Sequence, residues 1–168
     1  MTLTLILTRH AKSSWSDPDL DDFDRPLNGR GRRSARAIGQ WLAAHGHIPG
    51  EVVLSGARRT VDTWTGVAEG LPTQAPMRSD PALYHASAAS MLAVVRGAQS
   101  ATLMLIGHNP GIADFAERIV SDPAEHPRFG DYPTCATAII RFNAREWRDI
   151  DWETGEIADF VVPRDLLE

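Results

Sequence analysis

The segment at positions 6–14 reads ILTRHAKSS, an aliphatic run that breaks into Arg9 and His10 side by side and continues with Lys12, Ser13 and Ser14. One reading is a polar loop at the end of a strand; the other is a loop that collects an anion. Two later segments repeat the pattern. EVVLS ends at Ser55 and is followed by Gly56, Arg58 and Arg59, and ATLMLIG is followed by His108 and Asn109. Guanidinium forks bind two oxygens of an oxyanion at once, and an imidazole can donate, accept or attack. The chemistry in view is therefore anion binding with a nucleophile or base at hand.

Such groups do chemistry together only if the fold delivers them to one place. TLTLILT is β-branched and aliphatic and fits a strand buried on both faces. SSWSDPDLDDFDRPLNGRG, rich in Asp, Pro and Gly, reads as a loop. From about Gly31 to His45, Ala35, Ile38, Trp41 and Leu42 fall at helical spacing, with Gly46 placed to end the helix. EVVLS is a short strand, and helical spacing resumes from Ala57 to Glu69 through Val61, Trp64 and Val67. A further helix is expected from Ser87, as N-cap, to Arg96, with Gly97 as its stop. ATLMLIG is a strong strand, and Pro110-Gly111 opens a helix through Ile112, Phe115 and Ile119. TAIIRF and EIADFVV then read as strands joined through a turn at Thr154-Gly155.

This order predicts a single α/β domain spanning residues 1–168, a layered fold with a mostly parallel central sheet. In such sheets ligands lie beyond the carboxyl ends of the strands. Three strands end at Arg9-His10, at Ser55 ahead of Arg58 and Arg59, and at His108, so Arg, His, Arg and His converge on one sheet edge. Arg58 and Arg59 also sit at a helix start, where the positive end of the dipole disfavours cations unless an anion is bound.

Composition narrows the ligand. The chain has 168 residues, 43% of them hydrophobic, with a formal net charge of -5. That suits one domain with a sizeable core and gives no global attraction to nucleic acid or to an anionic membrane, so anion binding must be local. One cysteine, Cys135, cannot form an internal disulfide. MTLTLILT lacks the basic lead and cleavage site of a signal peptide, and no stretch approaches the ~20 apolar residues of a membrane span. A cytoplasmic protein is expected.

The three motifs, T-R-H-A, S-G-A-R-R-T-V-D-T and G-H-N-P-G in that order, resemble the histidine phosphatase superfamily, the phosphoglycerate mutase-like group. Within it, RHAKSSW, FDRPLNGRG and ALYHAS resemble the small SixA-type phosphohistidine phosphatases. The resemblance runs from Leu3 to about Phe142. It implies a phosphoglycerate mutase-like fold in which His10 is the nucleophile, Arg9 and Arg59 bind the phosphoryl group and His108 completes the pocket. The family arginine stands four residues after the serine, which selects Arg59 over Arg58. Two positions depart from the wider pattern: Ala11, where many members have glycine, and Ser16, a candidate phosphate contact where the mutase branch often has asparagine.

These roles suit the residues. His10 must be a neutral imidazole with one nitrogen free to attack phosphorus, so its other nitrogen should donate to a backbone carbonyl. Two guanidiniums and a second imidazole stabilise a phosphoryl group in transfer without a metal or other cofactor. The backbone N–H of Asn109 adds a donor near a helix start. An alkoxide leaving group would need an acid, and the region between the second and third motif strands offers only Tyr84 and His85 near that place, with Asp80 engaged in a turn. Imidazole leaves phosphorus with less help.

Other features have ordinary readings. D-P-D-L-D at 17–21 lacks the glycine and closing glutamate of a calcium loop, and His45-x-His47 lacks companion ligands. Trp15 is placed to form a pocket wall. Arg30, Arg32, Arg33 and Arg36 read first as a solvated helix face, and second as a docking patch for an acidic protein surface.

The sequence thus predicts a metal-independent hydrolase working through a phosphohistidine at His10, with a phosphorylated carrier or phosphotransfer protein as substrate. The alternatives are a phosphomonoesterase of small molecules and a phosphate-binding module without turnover.

Overall fold

The computed structural model describes residues 2–167. Six strands form one mixed sheet: β1 (Thr2–Arg9), β2 (Glu51–Leu54), β3 (Met77–Ser79), β4 (Thr102–Gly107), β5 (Thr137–Asn143) and β6 (Glu156–Val161), in the spatial order β3-β2-β4-β1-β5-β6. The first four in that order are mutually parallel, and β5 and β6 add an antiparallel edge. This is the α/β layered sheet expected from the alternation of strand and helix.

The helices are α1 (Gly29–Ala44), α2 (Arg58–Glu69), α3 (Ala88–Arg96), α4 (Gly111–Ile119) and the short α5 (Pro163–Leu166). Side chains on β1 alternate between two cores, as the period of a strand requires. Leu3, Leu5 and Leu7 pack with Met91, Leu92, Phe115 and Ile119 of α3 and α4. Ile6, on the other face, packs with Ala35, Ile38 and Leu42 of α1 and Trp64 and Val67 of α2. Apolar burial on both faces leaves the strand ends as the place where polar groups can gather.

Two local devices hold α1 and α2 at that edge. The Asn28 side chain caps α1 by accepting from the N–H of Gly31 at 2.8 Å, so the helix begins two residues before the expected Gly31. A Cβ at Gly31 would collide with the carbonyl oxygen of Lys12, so only glycine lets α1 press against the loop that follows β1. Gly56, at φ 91°, turns the chain sharply from β2 into α2. Ser87 caps α3 as expected, its side chain accepting from the N–H of Ser90. The strand β3 is short and exposed throughout, and without a buried face it left no apolar pattern to read.

Candidate active site

Because β1, β4 and β2 are parallel neighbours, their carboxyl ends open on one edge. Arg9 is paired with Gly107, and the N–H of His10 donates to the Gly107 carbonyl at 3.0 Å, which fixes the end of β1 against the end of β4. The rings of His10 and His108 consequently lie 5.2 Å apart between centroids. A cavity of about 260 Å³ opens here, and Arg9, His10, Arg59 and His108 all line it. His85 and Asn109 line it too, joined by Lys12, Ser13, Trp15, Arg25 and Thr134, with no carboxylate among them. A larger groove of about 580 Å³, between α1 and α2, contains neither histidine nor cysteine.

His10 is 7% exposed. Its Nδ1 lies 2.7 Å from the carbonyl oxygen of Ala11, an acceptor only, so Nδ1 carries the proton and Nε2 keeps its lone pair. Burial pushes the imidazole pKa down to about 4; the Ala11 carbonyl opposes this, and Arg9, Arg59 and Arg25 add to it. The ring is thus neutral at physiological pH, as a nitrogen nucleophile must be.

His108 is held from the end of β2. Its Nε2 lies 2.7 Å from Ser55 Oγ, which also accepts from the N–H of Ala57 and lies 3.2 Å from Thr60 Oγ1. Thr60 donates to the Ala57 carbonyl, so its hydroxyl accepts from Ser55 and Ser55 accepts from His108. The relay places the His108 proton on Nε2 and leaves Nδ1 buried and without a partner among the described residues. Burial, then His10 and Arg59, lower its pKa to about 3.

Arg59 is 5% exposed, whereas the Arg58 side chain is exposed and paired with Asp62 at 3.5 Å. Arg59 donates through Nη1 to the Asp22 carbonyl at 2.7 Å and through Nη2 to the Asp22 carboxylate at 3.0 Å. Arg9 donates from Nη1 to the Tyr132 carbonyl at 3.2 Å. Burial, and the charge of Arg59, lower the Arg9 pKa. Nε of Arg9 and Nε of Arg59 are buried without partners, as is Nδ1 of His108. Buried polar atoms are normally satisfied, so among the described residues two guanidiniums that line one cavity each keep an unused N–H donor, whereas Nδ1 of His108, its proton held on Nε2, is an open acceptor.

Two site residues escaped the sequence reading. Arg25, 7% exposed, bonds Ser13 Oγ at 2.7 Å and the Ser14 carbonyl at 3.2 Å, and its guanidinium carbon lies 3.5 Å from the centre of the Trp15 ring. Asp22 accepts from Tyr84 at 2.6 Å, from Arg59 and from Arg25, and these bonds hold its carboxyl well below the usual range, Tyr84 having the largest influence. Both lie in a loop without periodicity, where one Asp among Asp17, Asp19, Asp21, Asp22 and Asp24 could not be singled out.

The remaining candidates divide. His85 is exposed at the cavity, at φ 56°, and Tyr84 stands behind it with its ring 5.5 Å from His108. Asn109 lines the cavity, and its side chain donates to the carbonyls of Asp131 and Tyr132, tying the start of α4 to the loop before β5. Ser16 is exposed, bonded to Ser14 at 2.8 Å, and stands outside the cavity lining. Asp80 accepts from the N–H of Ala82, engaged in its turn as expected. The arginines of α1 do not form one face: Arg32, Arg33 and Arg36 border the larger groove, and Arg30 a different cavity. Positions 30 and 32 are about 200° apart on a helix, which separates them. Among the described residues no group of three or more His, Cys, Asp or Glu could hold a metal ion, and no helix is long and apolar enough to cross a membrane.

The sequence and the fold have counterparts. An uncharacterised protein of Mycobacterium tuberculosis is 33% identical over 165 residues, covering 93% of this chain and 99% of its own. An uncharacterised chloroplastic protein of Arabidopsis thaliana is 27% identical over 156 residues, covering 86% of this chain and 69% of its own. Among solved structures, a Nakamurella multipartitia protein named provisionally as the phosphohistidine phosphatase SixA superposes with TM-score 0.79 at 28% identity, covering 97% of both chains. The protein histidine phosphatase SixA complexed with tungstate superposes with TM-score 0.74 at 19% identity, covering 98% of this chain and 99% of its own, a likeness of fold. Residues 5–91, which carry His10 and Arg59, match the family model of the histidine phosphatase superfamily (branch 1), and the chain belongs to that superfamily.

Proposed function

We propose that the protein is a phosphohistidine phosphatase that passes the phosphoryl group through Nε2 of His10, without a metal, and takes its substrate from the surface of another protein. Nε2 attacks phosphorus as the bond to the substrate nitrogen breaks, and the substrate imidazole, already protonated on its other nitrogen, keeps the electron pair and leaves as a neutral ring. Water then attacks the phosphorus, the bond to Nε2 breaks, and inorganic phosphate leaves. Throughout, the Ala11 carbonyl holds the proton on Nδ1, the Arg9 and Arg59 guanidiniums lining the cavity supply charge and N–H donors to the phosphoryl oxygens, and His108, with Nδ1 unprotonated, accepts from a protonated oxygen of the phosphate or from the attacking water.

One observation carries the choice of leaving group: among the described residues no carboxylic acid lines the cavity, and Asp22, the carboxylate bonded to Arg59, is held ionised by three donors. An alkoxide must be protonated as it leaves, and an ionised carboxylate cannot do so. An imidazole is a better leaving group and can be protonated in advance. The provisional name of the Nakamurella relative supports the same substrate class.

The test is phosphate release from a phosphohistidine peptide, an unactivated alkyl phosphate and an aryl phosphate. Fast turnover of the peptide, weak turnover of the aryl ester and none of the alkyl ester are expected. Efficient alkyl phosphate hydrolysis, lost in Tyr84→Phe or His85→Ala, would instead make the protein a small-molecule phosphomonoesterase.

A further inference from the structure

A second cavity, of about 240 Å³, adjoins the catalytic one and shares Lys12 and Thr134 with it. Its charged lining is entirely cationic: Lys12 from the loop after β1, Arg30 from the first turn of α1, Arg128 from the segment before β5, and Arg164 from α5. Arg128 is paired with Asp131 at 3.0 Å. Among the described residues, no ion pair engages Lys12, Arg30 or Arg164. The larger groove between α1 and α2 is different, because Glu69 pairs with Arg36 at 2.7 Å and Asp62 with Arg58 at 3.5 Å.

Three unpaired cations from three separate parts of the chain, in a protein of formal net charge -5, are not a general excess of basic residues. Like charges gathered on one wall repel each other, and an anion there relieves the repulsion. Lys12 belongs to both cavities, so a substrate chain with its phosphoryl group over His10 has its neighbouring residues within reach of this wall. An extended chain advances about 3.3 Å per residue, so only a few residues separate the two sites.

We infer that this second cavity is a subsite for carboxylate side chains flanking the phosphohistidine of an acidic protein partner. The inference rests on the phosphohistidine reading above and gives that substrate its charge. Recognition is electrostatic at an exposed wall, so it raises encounter and selectivity and weakens with salt.

Two phosphohistidine peptides test it, one with Asp and Glu around the phosphorylated residue and one with Asn and Gln in their place. The intact protein should favour the acidic peptide about five- to tenfold in kcat/KM at low salt, mostly through KM, with the preference shrinking toward unity as salt rises past the point where surface charges are screened. Arg30→Ala combined with Arg164→Ala should abolish the preference and leave turnover of the amide peptide unchanged. Equal turnover of both peptides by the intact protein, or a preference that survives salt and the double substitution, overturns the subsite but not the phosphatase. Failure to turn over either peptide overturns both.

Discussion

Nδ1 of His10 lies 2.7 Å from the carbonyl oxygen of the next residue, Ala11. This one-residue contact decides which nitrogen of the nucleophile is free, because a carbonyl can only accept. It also opposes the burial that drives the imidazole pKa down to about 4, without cancelling it. A neutral ring with a fixed tautomer follows from the turn of the chain at the end of β1.

The pH profile should report this. In the free enzyme kcat/KM falls on the acid side when His10 takes a proton, so with an acid-stable aryl phosphate the limb should lie near pH 4, not near the ordinary 6.5. Correction for the titration of the substrate itself isolates it. A limb at 6–7 would show that His10 is solvated and unlike its environment here.

Stability should respond to the same burial. His10 and His108 have folded pKa values near 4 and near 3, below the ordinary 6.5. Above pH 6.5 both are neutral folded or unfolded; below it the unfolded chain takes protons that the folded chain refuses. Their contribution is therefore present above 6.5 and lost as pH falls toward 4. At pH 5 each histidine costs about 2 kcal/mol. Urea unfolding at pH 7 and pH 5 should show a drop smaller by about that amount in His10→Gln, and an unchanged drop would contradict the assignment.

Neighbouring arginines should behave unequally. Arg59→Ala removes a buried guanidinium that lines the cavity and should lower kcat/KM by about 100-fold, near the ~3 kcal/mol of a lost oxyanion donor. Arg58→Ala breaks an exposed pair with Asp62 and should stay within a few-fold of the unaltered enzyme. Equal losses would remove the basis for assigning the phosphate contact to Arg59.

Metal removal should be silent. Among the described residues the cavity is lined by three guanidiniums and by no carboxylate, so dialysis against a strong chelator should leave turnover unchanged. Activity lost in this way and restored by Zn²⁺ or Mg²⁺ would refute the metal-free mechanism.

How far the sequence led depends on what kind of signal each residue left. His10, His108 and the pair Arg58-Arg59 were legible because each follows an apolar strand and a parallel sheet must bring such ends together, while the choice of Arg59 within the pair came from the family resemblance. The caps at Ser87 and Gly97 were legible for a similar reason, since local chemistry sets them. Asp22 and Arg25 were not, because their partners Arg59, Tyr84 and Ser13 come from distant parts of the chain and the loop carrying them has no period. Tyr132 was missed as well: its carbonyl receives Arg9 and Asn109, and its hydroxyl donates to the Leu7 carbonyl, all across more than twenty residues. The arginines of α1 looked like one patch in one dimension and separate on the helix surface.

The central claim is that the phosphoryl group rests on His10. Rapid quenching of the enzyme during turnover of a labelled phosphohistidine peptide, followed by digestion under alkaline conditions and mass spectrometry, locates it directly. A base-stable, acid-labile phosphate on the peptide that contains His10, absent in His10→Ala along with turnover, is the predicted result. Full turnover in His10→Ala, or label on another residue, would contradict the account.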